Sequence, residues 1–481
     1  MKYTLILKLI GTMLKILALF LLVPVIFSLY YGSGDELSFL FSALITGVTG
    51  LLLSLIKPDD KKFRARDAFA AAALAWIFLS LFGALPYYFC GYFDSFLDCF
   101  FESVSGFTTT GASICTDVES LPKGIVFWRS FTHLIGGMGV LTFMLAVLPS
   151  MNASSVNLLR AEATGPAPDK ILPRISETAR TIYIIYAAMT VVLFLILLLT
   201  GLSPFDAVIH AFSVAGTGGF SNMNASVGAF NNLAAEIVMS VFMFLFGINF
   251  TLYFYLINRK FKQFYKDDEL RVYFVYVVAS ILLIAADLAS SGAFGTYAQT
   301  LRQASFQVTS LISSTGFFSV NYDAWPDFCR VILLLLMTTG CCAGSTGGGL
   351  KVVRFLIIIK SLRNELDKIV HPRGVKVVTI NGAKIDNDVV GRVAMIFFCY
   401  FAIFTVSLVL LSFNEYDIIT NASASISMLS NIGGGFGASG PAGSYAVFAA
   451  HEKLILSIDM LAGRLEFIPV FLLLRPSIWM N

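Results

Sequence analysis

Apolar runs recur along the chain at lengths that match a bilayer. Examples are Ile16–Tyr31, Leu37–Ile56, Ala68–Leu85, Ile182–Leu199, Ile237–Ile257, Val393–Leu411 and Leu454–Leu474. Each approaches or reaches the roughly 20 residues a helix needs to span hydrocarbon. Only 13% of the residues are charged, 57% are hydrophobic, and the mean hydropathy is +0.80. A soluble domain carries about 25% charge. A large soluble protein with buried helices would still show charged faces, and most of these helices have none. The expected class is therefore an all-α integral membrane protein in a lipid bilayer. The first run follows Lys2, Lys8 and Lys15 but lacks a small-x-small cleavage site, so it reads as a retained helix.

Lys and Arg placement sets the expected orientation. Segments Lys57–Asp67, Arg160–Arg180, Asn258–Arg271 and Lys360–Arg392 hold five, four, five and seven of them. The alternate connections Gly32–Glu36, Gly91–Phe93, Gly201–Ser203, Ser290–Gln299 and Ser412–Asp417 hold none. The basic side is expected to be cytoplasmic, with both termini there. Asp94, Glu119, Asp206, Asp323, Asp327 and Asp417 lie on the other side, where they either attract cations or are ordinary solvated loop residues. The net charge of +3 reflects this sidedness and implies no nucleic acid. The seven cysteines lack metal-ligand spacing and read as small apolar residues. A disulfide among Cys90, Cys99 and Cys115 is open but unsupported.

Internal repetition gives the organisation. Four windows align without gaps: LDCFFESVSGFTTTG (Leu97–Gly111), FDAVIHAFSVAGTGG (Phe205–Gly219), RQASFQVTSLISSTG (Arg302–Gly316) and ITNASASISMLSNIG (Ile419–Gly433). They end in the triplets Thr109-Thr110-Gly111, Thr217-Gly218-Gly219, Ser314-Thr315-Gly316 and Asn431-Ile432-Gly433. A serine stands six residues before each glycine: Ser105, Ser213, Ser310 and Ser427. The glycines lie 108, 97 and 117 residues apart, which leaves room for a returning helix, a link and an entering helix. Each window is too polar and too short to span. The pattern reads as helix, re-entrant pore helix, extended loop, helix. Pore helices are expected near Asp94–Phe107, Pro204–Val214, Tyr297–Ile312 and Tyr416–Leu429. The resulting plan is an N-terminal helix pair (1–57) and pore repeats at 67–150, 178–258, 271–360 and 392–475, with a cytoplasmic link at 361–391. It amounts to ten spans.

Non-helical backbone at membrane depth is tolerated where it lines a cavity or is buried in protein. Four loops around one axis can point carbonyls inward and replace the hydration shell of a cation. Glycine permits the backbone angles this needs. A hydroxyl or amide at the start of each triplet can add an oxygen. Carbonyls without a ring of carboxylates suit a monovalent ion. A single such loop would more often be an extracellular turn; four at matching places argue for one site.

The windows resemble the filter loops of the Trk/Ktr/HKT superfamily of potassium transporters. The carriers are SVSGFTTTGAS (Ser103–Ser113), AGTGGFSNMNAS (Ala215–Ser226), SSTGFFSVNYDAW (Ser313–Trp325) and NIGGGFG (Asn431–Gly437). IGGMGV (Ile135–Val140), GSTGGGLKVVR (Gly344–Arg354), HPRGVKVVTINGAKI (His371–Ile385) and GRLE (Gly463–Glu466) also match. The N-terminal pair is similar to the TrkH type rather than the shorter Ktr type. The resemblance covers nearly the whole chain. It implies potassium as the transported ion, no cofactor in this chain, a homodimer with one pore per subunit, and a cytosolic nucleotide-binding regulatory subunit of the TrkA kind. It also implies a bacterial inner membrane. Family logic ties glycine at all four positions to potassium selectivity, and serine in the first loop to sodium-permeable plant relatives. The fourth loop departs mildly, with Gly434 and Phe436 where bacterial relatives often carry proline and leucine.

Two features lie below the expected filter. Apolar Val331–Met337 gives way to TTGCCAGSTGGG (Thr338–Gly349), which would cost a continuous helix about 1 kcal/mol per glycine. Unwound helix at membrane depth marks an ion path, although a flexible packing break would look the same. A phosphate-cradling loop is excluded because Leu350, not Lys-Ser/Thr, follows Gly349. The resemblance makes this stretch an intramembrane gating loop, with Gly340, Gly344, Ser345, Thr346, Gly347, Gly348 and Gly349 as gate residues. Arg464 is the second feature. A charge at depth costs at least about 2.5 kcal/mol and should face protein or a cavity, unless it snorkels to the interface. The resemblance places it at the constriction beside the gating loop. In the basic link, VKVVTING reads as a hairpin with Asn381-Gly382 as its turn. It would serve either as a docking surface or as a plain topology signal.

The expected function is potassium uptake through a pseudo-fourfold filter, gated from the cytoplasm. A less selective potassium/sodium pathway is the near alternative. A polytopic membrane enzyme is the distant one, and it would need a catalytic cluster of the kind that Asp98, Glu102 and His210, split between pore helices, do not obviously form.

Overall fold

The computed structural model describes residues 1–57, 64–137, 139, 175–372 and 376–479. The basic stretch 160–174, the end of the first repeat at 140–150 and parts of the motifs at 135–140 and 371–385 lie outside these residues. Helices dominate, as the composition requires. Among the described residues, six are long and apolar enough to cross a membrane: Tyr3–Tyr31, Glu36–Ser54, Arg66–Cys90, Ala179–Leu199, Asp268–Ser290 and Asn387–Leu411. The protein is an all-α membrane protein. Helices in lipid associate through close packing of small residues rather than a hydrophobic drive. The N-terminal pair does so: a Cβ on Gly11 would fall inside 3.0 Å of Leu53 and Ser54, and one on Gly50 inside 3.0 Å of the Lys15 nitrogen and the Gly11 carbonyl.

Four short helices occupy the expected windows: Phe96–Phe107, Pro204–Gly216, Tyr297–Ile312 and Ile418–Leu429. The side chains of Ser95, Ser203, Thr296 and Asp417 accept from the backbone N–H three residues on, at 3.1, 3.1, 3.3 and 3.2 Å. These caps satisfy one orphan donor each and fix where the helices begin. The third cap lies one turn earlier than the others, which makes that helix 16 residues long.

The returning segments correct two expectations. The run Ile237–Ile257 is not one continuous helix. Helix Leu233–Phe246 stops, and Phe250–Ile257 leaves at 95°. Gly247 ends the first piece and the Asn249 side chain caps the second, accepting from Thr251 N–H at 2.9 Å. The run Leu454–Leu474 is likewise broken, into Ala450–Arg464 and Ile468–Leu474, with Glu466 and Phe467 both at positive φ between them. The count of ten spans therefore needs qualifying. Among the described residues six helices pass by length and apolarity, seven with the bent pair. Two of the other returning helices, Asp327–Thr339 and Ala450–Arg464, have only 13 and 15 residues.

Polar contacts join the units. Lys453 Nζ meets Asp98 at 2.7 Å, tying the last unit to the first. Arg302 holds Glu236 bidentately at 2.6 Å on both arms, tying the third to the second. Tyr322 OH donates to Gly435 O at 3.0 Å between third and fourth. The expected hairpin forms: Thr379–Ile380 pairs antiparallel with Ala383–Lys384, and Asn381 and Gly382 both take positive φ at the turn. All seven cysteines are free, so the disulfide is absent.

Candidate functional site

The four triplets share one backbone conformation. Their first residues, Thr109, Thr217, Ser314 and Asn431, have φ of 55°, 55°, 59° and 53°. Their glycines, Gly111, Gly219, Gly316 and Gly433, have φ of 79°, 78°, 77° and 86°. The middle residues do not enter this region. Alternating handedness turns successive carbonyls to the same side, where an extended strand would alternate them. A non-glycine residue at positive φ costs roughly 1–2 kcal/mol, and hydrogen bonding offsets it. The N–H of Thr110, Gly218, Thr315 and Ile432 each donates at 2.9 Å to the carbonyl of the column serine: Ser105, Ser213, Ser310 and Ser427. The serine column thus marks a backbone acceptor. Its hydroxyls are less uniform: those of Ser213 and Ser310 reach Phe220 O and Phe317 O at 2.7 and 2.6 Å.

The loops close on one another. A Cβ on Gly111 would fall inside 3.0 Å of Gly218 O, one on Gly219 inside 3.0 Å of Thr315 O, one on Gly316 inside 3.0 Å of Ile432 O, and one on Gly433 inside 3.0 Å of Thr110 O. Each glycine thus lies against the middle carbonyl of the next loop, and the fourth returns to the first. The four form a ring in chain order. All four glycines line one cavity of about 380 Å³ that also touches Arg129, Tyr322 and Tyr445. This cavity is the mouth above the ring.

Most acids near the mouth turn out to hold structure. Asp206 accepts from Asn222 at 2.7 Å, Asp323 pairs with Arg330 at 3.2 Å, and Asp417 caps helix Ile418–Leu429. Asp117, in the first mouth loop, is held below the ordinary carboxylate range by the Asn224 amide, so it stays ionised at neutral pH.

Below the ring lies the broken third returning segment. Helix Asp327–Thr339 ends, residues 340–351 run as a loop, and helix Val352–Val370 follows. The loop docks on the break at Gly247: Cys342 N–H donates to Gly247 O and Phe250 N–H to Gly344 O, both at 3.0 Å, while Thr346 Oγ1 reaches Phe246 O at 3.3 Å. The two broken helices therefore satisfy each other's freed backbone groups, the condition for irregular backbone at depth. Gly348 N–H donates to Ser314 Oγ at 2.6 Å, so the loop bonds directly to the base of the third triplet. A Cβ on Gly348 would collide with Ser430 O.

Arg464 does not snorkel. Its Nη1 donates to Thr346 O at 3.1 Å and to Thr109 Oγ1 at 3.3 Å. Its Nη2 donates to Gly137 O at 2.8 Å and also to Gly136 O. One guanidinium thus joins the loop, the base of the first triplet and the end of helix Lys123–Gly137. The fourth triplet is tied to the first and to the last helix: Asn431 Nδ2 donates to Thr110 Oγ1 at 3.0 Å and to Met460 O at 2.9 Å. An ion at this ring would meet backbone oxygen.

Residues 36–480 match the model of the TrkH family, described as cation transport proteins. The chain is 34% identical to a Trk system potassium uptake protein TrkH of Halomonas elongata and 32% identical to that of Escherichia coli K12, over the full length of both chains in each case. The crystal structure of the potassium transporter TrkH from Vibrio parahaemolyticus superposes with a TM-score of 0.90 at 31% identity, covering 100% of each chain. The chain belongs to the TrkH family.

Several parts of this TrkH-family site escape sequence reasoning. Glu269, at the start of helix Asp268–Ser290, is buried. Its Oε1 accepts from Ala343 N–H at 2.8 Å and Val353 N–H at 3.0 Å, gripping both ends of the loop. Lys351, buried and at φ 75°, donates from Nζ to Gly347 O, and Arg354 pairs with Glu466. The available signal is Lys-x-x-Arg one residue beyond the glycine run, two cations where hydrocarbon would otherwise lie. Glu269→Ala would strand two buried N–H donors and lower stability by about 2 kcal/mol or more. Thermal unfolding of the purified protein in detergent tests this; an unchanged midpoint would show that the loop does not depend on the carboxylate. The three residues of the enzyme alternative each bond elsewhere. Asp98 and Glu102 pair with Lys453 and Arg129, and His210 bonds Asp206 O and Ser221 Oγ at 2.8 and 3.1 Å.

Proposed function

We propose that the four triplets are a potassium selectivity filter and that this chain is the membrane pore of a potassium uptake system. The observation that carries the reading is the closed ring, each glycine seated against the next loop's carbonyl. Thr110, Gly218, Thr315 and Ile432 supply oxygens from four sides, with Thr109, Thr217, Ser314, Asn431 and the glycines completing the loops. A dehydrated monovalent cation fits carbonyl dipoles without carboxylates. Relatives named as potassium uptake proteins support the choice of ion. Potassium is the substrate, and the reading requires no cofactor.

The basic links face the cytoplasm, so the mouth opens outward and both termini lie inside a bacterial inner membrane. Loop 340–351 and Arg464 form the gate on the cytoplasmic side. The pore works as a homodimer with one filter per chain, under a cytosolic nucleotide-binding subunit of the TrkA kind. The four pore repeats at 67–150, 178–258, 271–360 and 392–475 are the units of the ring. Expression in a bacterium lacking its potassium uptake systems tests the whole reading. Growth at low potassium should return when the chain is supplied with a regulatory subunit. Failure with every partner combination, despite membrane insertion, would overturn it.

A further inference from the structure

We propose that Glu102 and Arg129 form one positioning element that sets the spacing of the first two filter loops and so the ion preference of the ring. The inference rests on the filter reading above. It starts from the column nine residues before each filter glycine: Glu102, His210, Gln307 and Ala424. All four are wholly buried behind the ring.

Only two of them hold the chain beyond the glycine. Glu102 accepts from Ser113 Oγ at 2.9 Å and from Ile114 N–H at 3.0 Å. His210 Nε2 lies 3.1 Å from Ser221 Oγ. Ser113 and Ser221 each stand two residues past the filter glycine. In the third and fourth loops that place is taken by Phe318 and Gly435. Gln307 has no hydrogen-bond partner for either side-chain atom, and Ala424 has nothing to offer.

Arg129 joins the two held loops. Its Nε donates to Glu102 at 2.8 Å, its Nη2 to Ser113 Oγ at 3.0 Å and its Nη1 to Ser221 O at 3.2 Å. Its guanidinium carbon lies 4.1 Å from the ring centre of Phe220, the residue after Gly219, and Phe220 also stacks on His133 at 4.3 Å. One planar group thus touches the first loop's side chain, the second loop's backbone and the second loop's ring. Burying an ion pair seldom adds net stability over apolar packing. The rigid five-donor fork of arginine does fix geometry between its partners. Spacing, rather than stability, is what this pair supplies.

The test is competitive potassium and sodium uptake by proteoliposomes, beside thermal unfolding of each variant. Arg129→Lys keeps the charge opposite Glu102 but cannot reach both loops. The double variant Glu102→Gln/Arg129→Gln removes both charges together, so neither is stranded. Both are expected to fold, to pass potassium, and to lose about tenfold in potassium-over-sodium preference, because ligand groups must be held to within a fraction of an ångström. Gln307→Leu, at the same column of the third loop, should leave the ratio unchanged. Should neither variant fold, Glu102→Asp shortens the link with the charges intact and is read in the same way. An unmoved ratio in these variants, when Gly111→Ser does move it, overturns the positioning role and leaves the filter standing. A ratio unmoved by Gly111→Ser overturns the filter reading itself, and the positioning role with it.

Discussion

Gly111→Ser is expected to cut the potassium-over-sodium uptake ratio by about tenfold or more, the scale of a 1.4 kcal/mol change in discrimination. Two effects act together. The residue sits at φ 79°, where an L side chain is strained by roughly 1–2 kcal/mol. Its Cβ would also enter the space held by Gly218 O, a backbone atom that cannot swing aside as a long side chain can. The second loop must retreat, and with it one of four carbonyls. Because Gly219 in turn abuts Thr315 O, the shift does not stop at one neighbour. Rubidium, potassium and sodium fluxes in proteoliposomes would measure this. An unaltered ratio would mean that the ring does not choose the ion.

Arg464→Ala is expected to raise basal potassium flux by about 10- to 100-fold. A unit charge roughly 6 Å from a permeating cation, at an effective dielectric near 20, repels it by about 3 kcal/mol. The alanine variant removes that barrier and also frees Thr346 O and the carbonyls of Gly136 and Gly137, which anchor the loop below the filter. Arg464→Lys should fall between, since it keeps the charge with fewer bonds. Equal flux in wild type and Arg464→Ala, with and without the regulatory subunit, would exclude a barrier at this position.

What could be read from the residues alone was local or repeated. The four short helices are legible through the repeated window and through a glycine at a fixed place in it, while their caps emerge only in the structure. Arg464 and the run Thr338–Gly349 stood out because each violates the apolar rule for its surroundings. The pairings were not legible. Glu269 meets the loop 74 and 84 residues away, and Arg129 meets Ser221 across 92. No periodicity encodes such contacts; they exist only once the units close into a ring. The break at Gly247–Asn249 is not legible in the sequence for a related reason. One glycine and one asparagine in an apolar run are a weak local signal, and the helix parts there because loop 340–351 supplies partners for its freed groups. Hydropathy alone joined what tertiary bonding separates.

The proposed gate touches the ring unevenly: Gly348 reaches the third triplet and Arg464 the first. A tetramer of identical chains would have to present every such residue four times, crowding four guanidinium groups under one ion path. Encoding the quadrants in a single polypeptide lifts that obligation. Fourfold order is kept where the ion needs it, in the backbone, and given up where control needs a single handle.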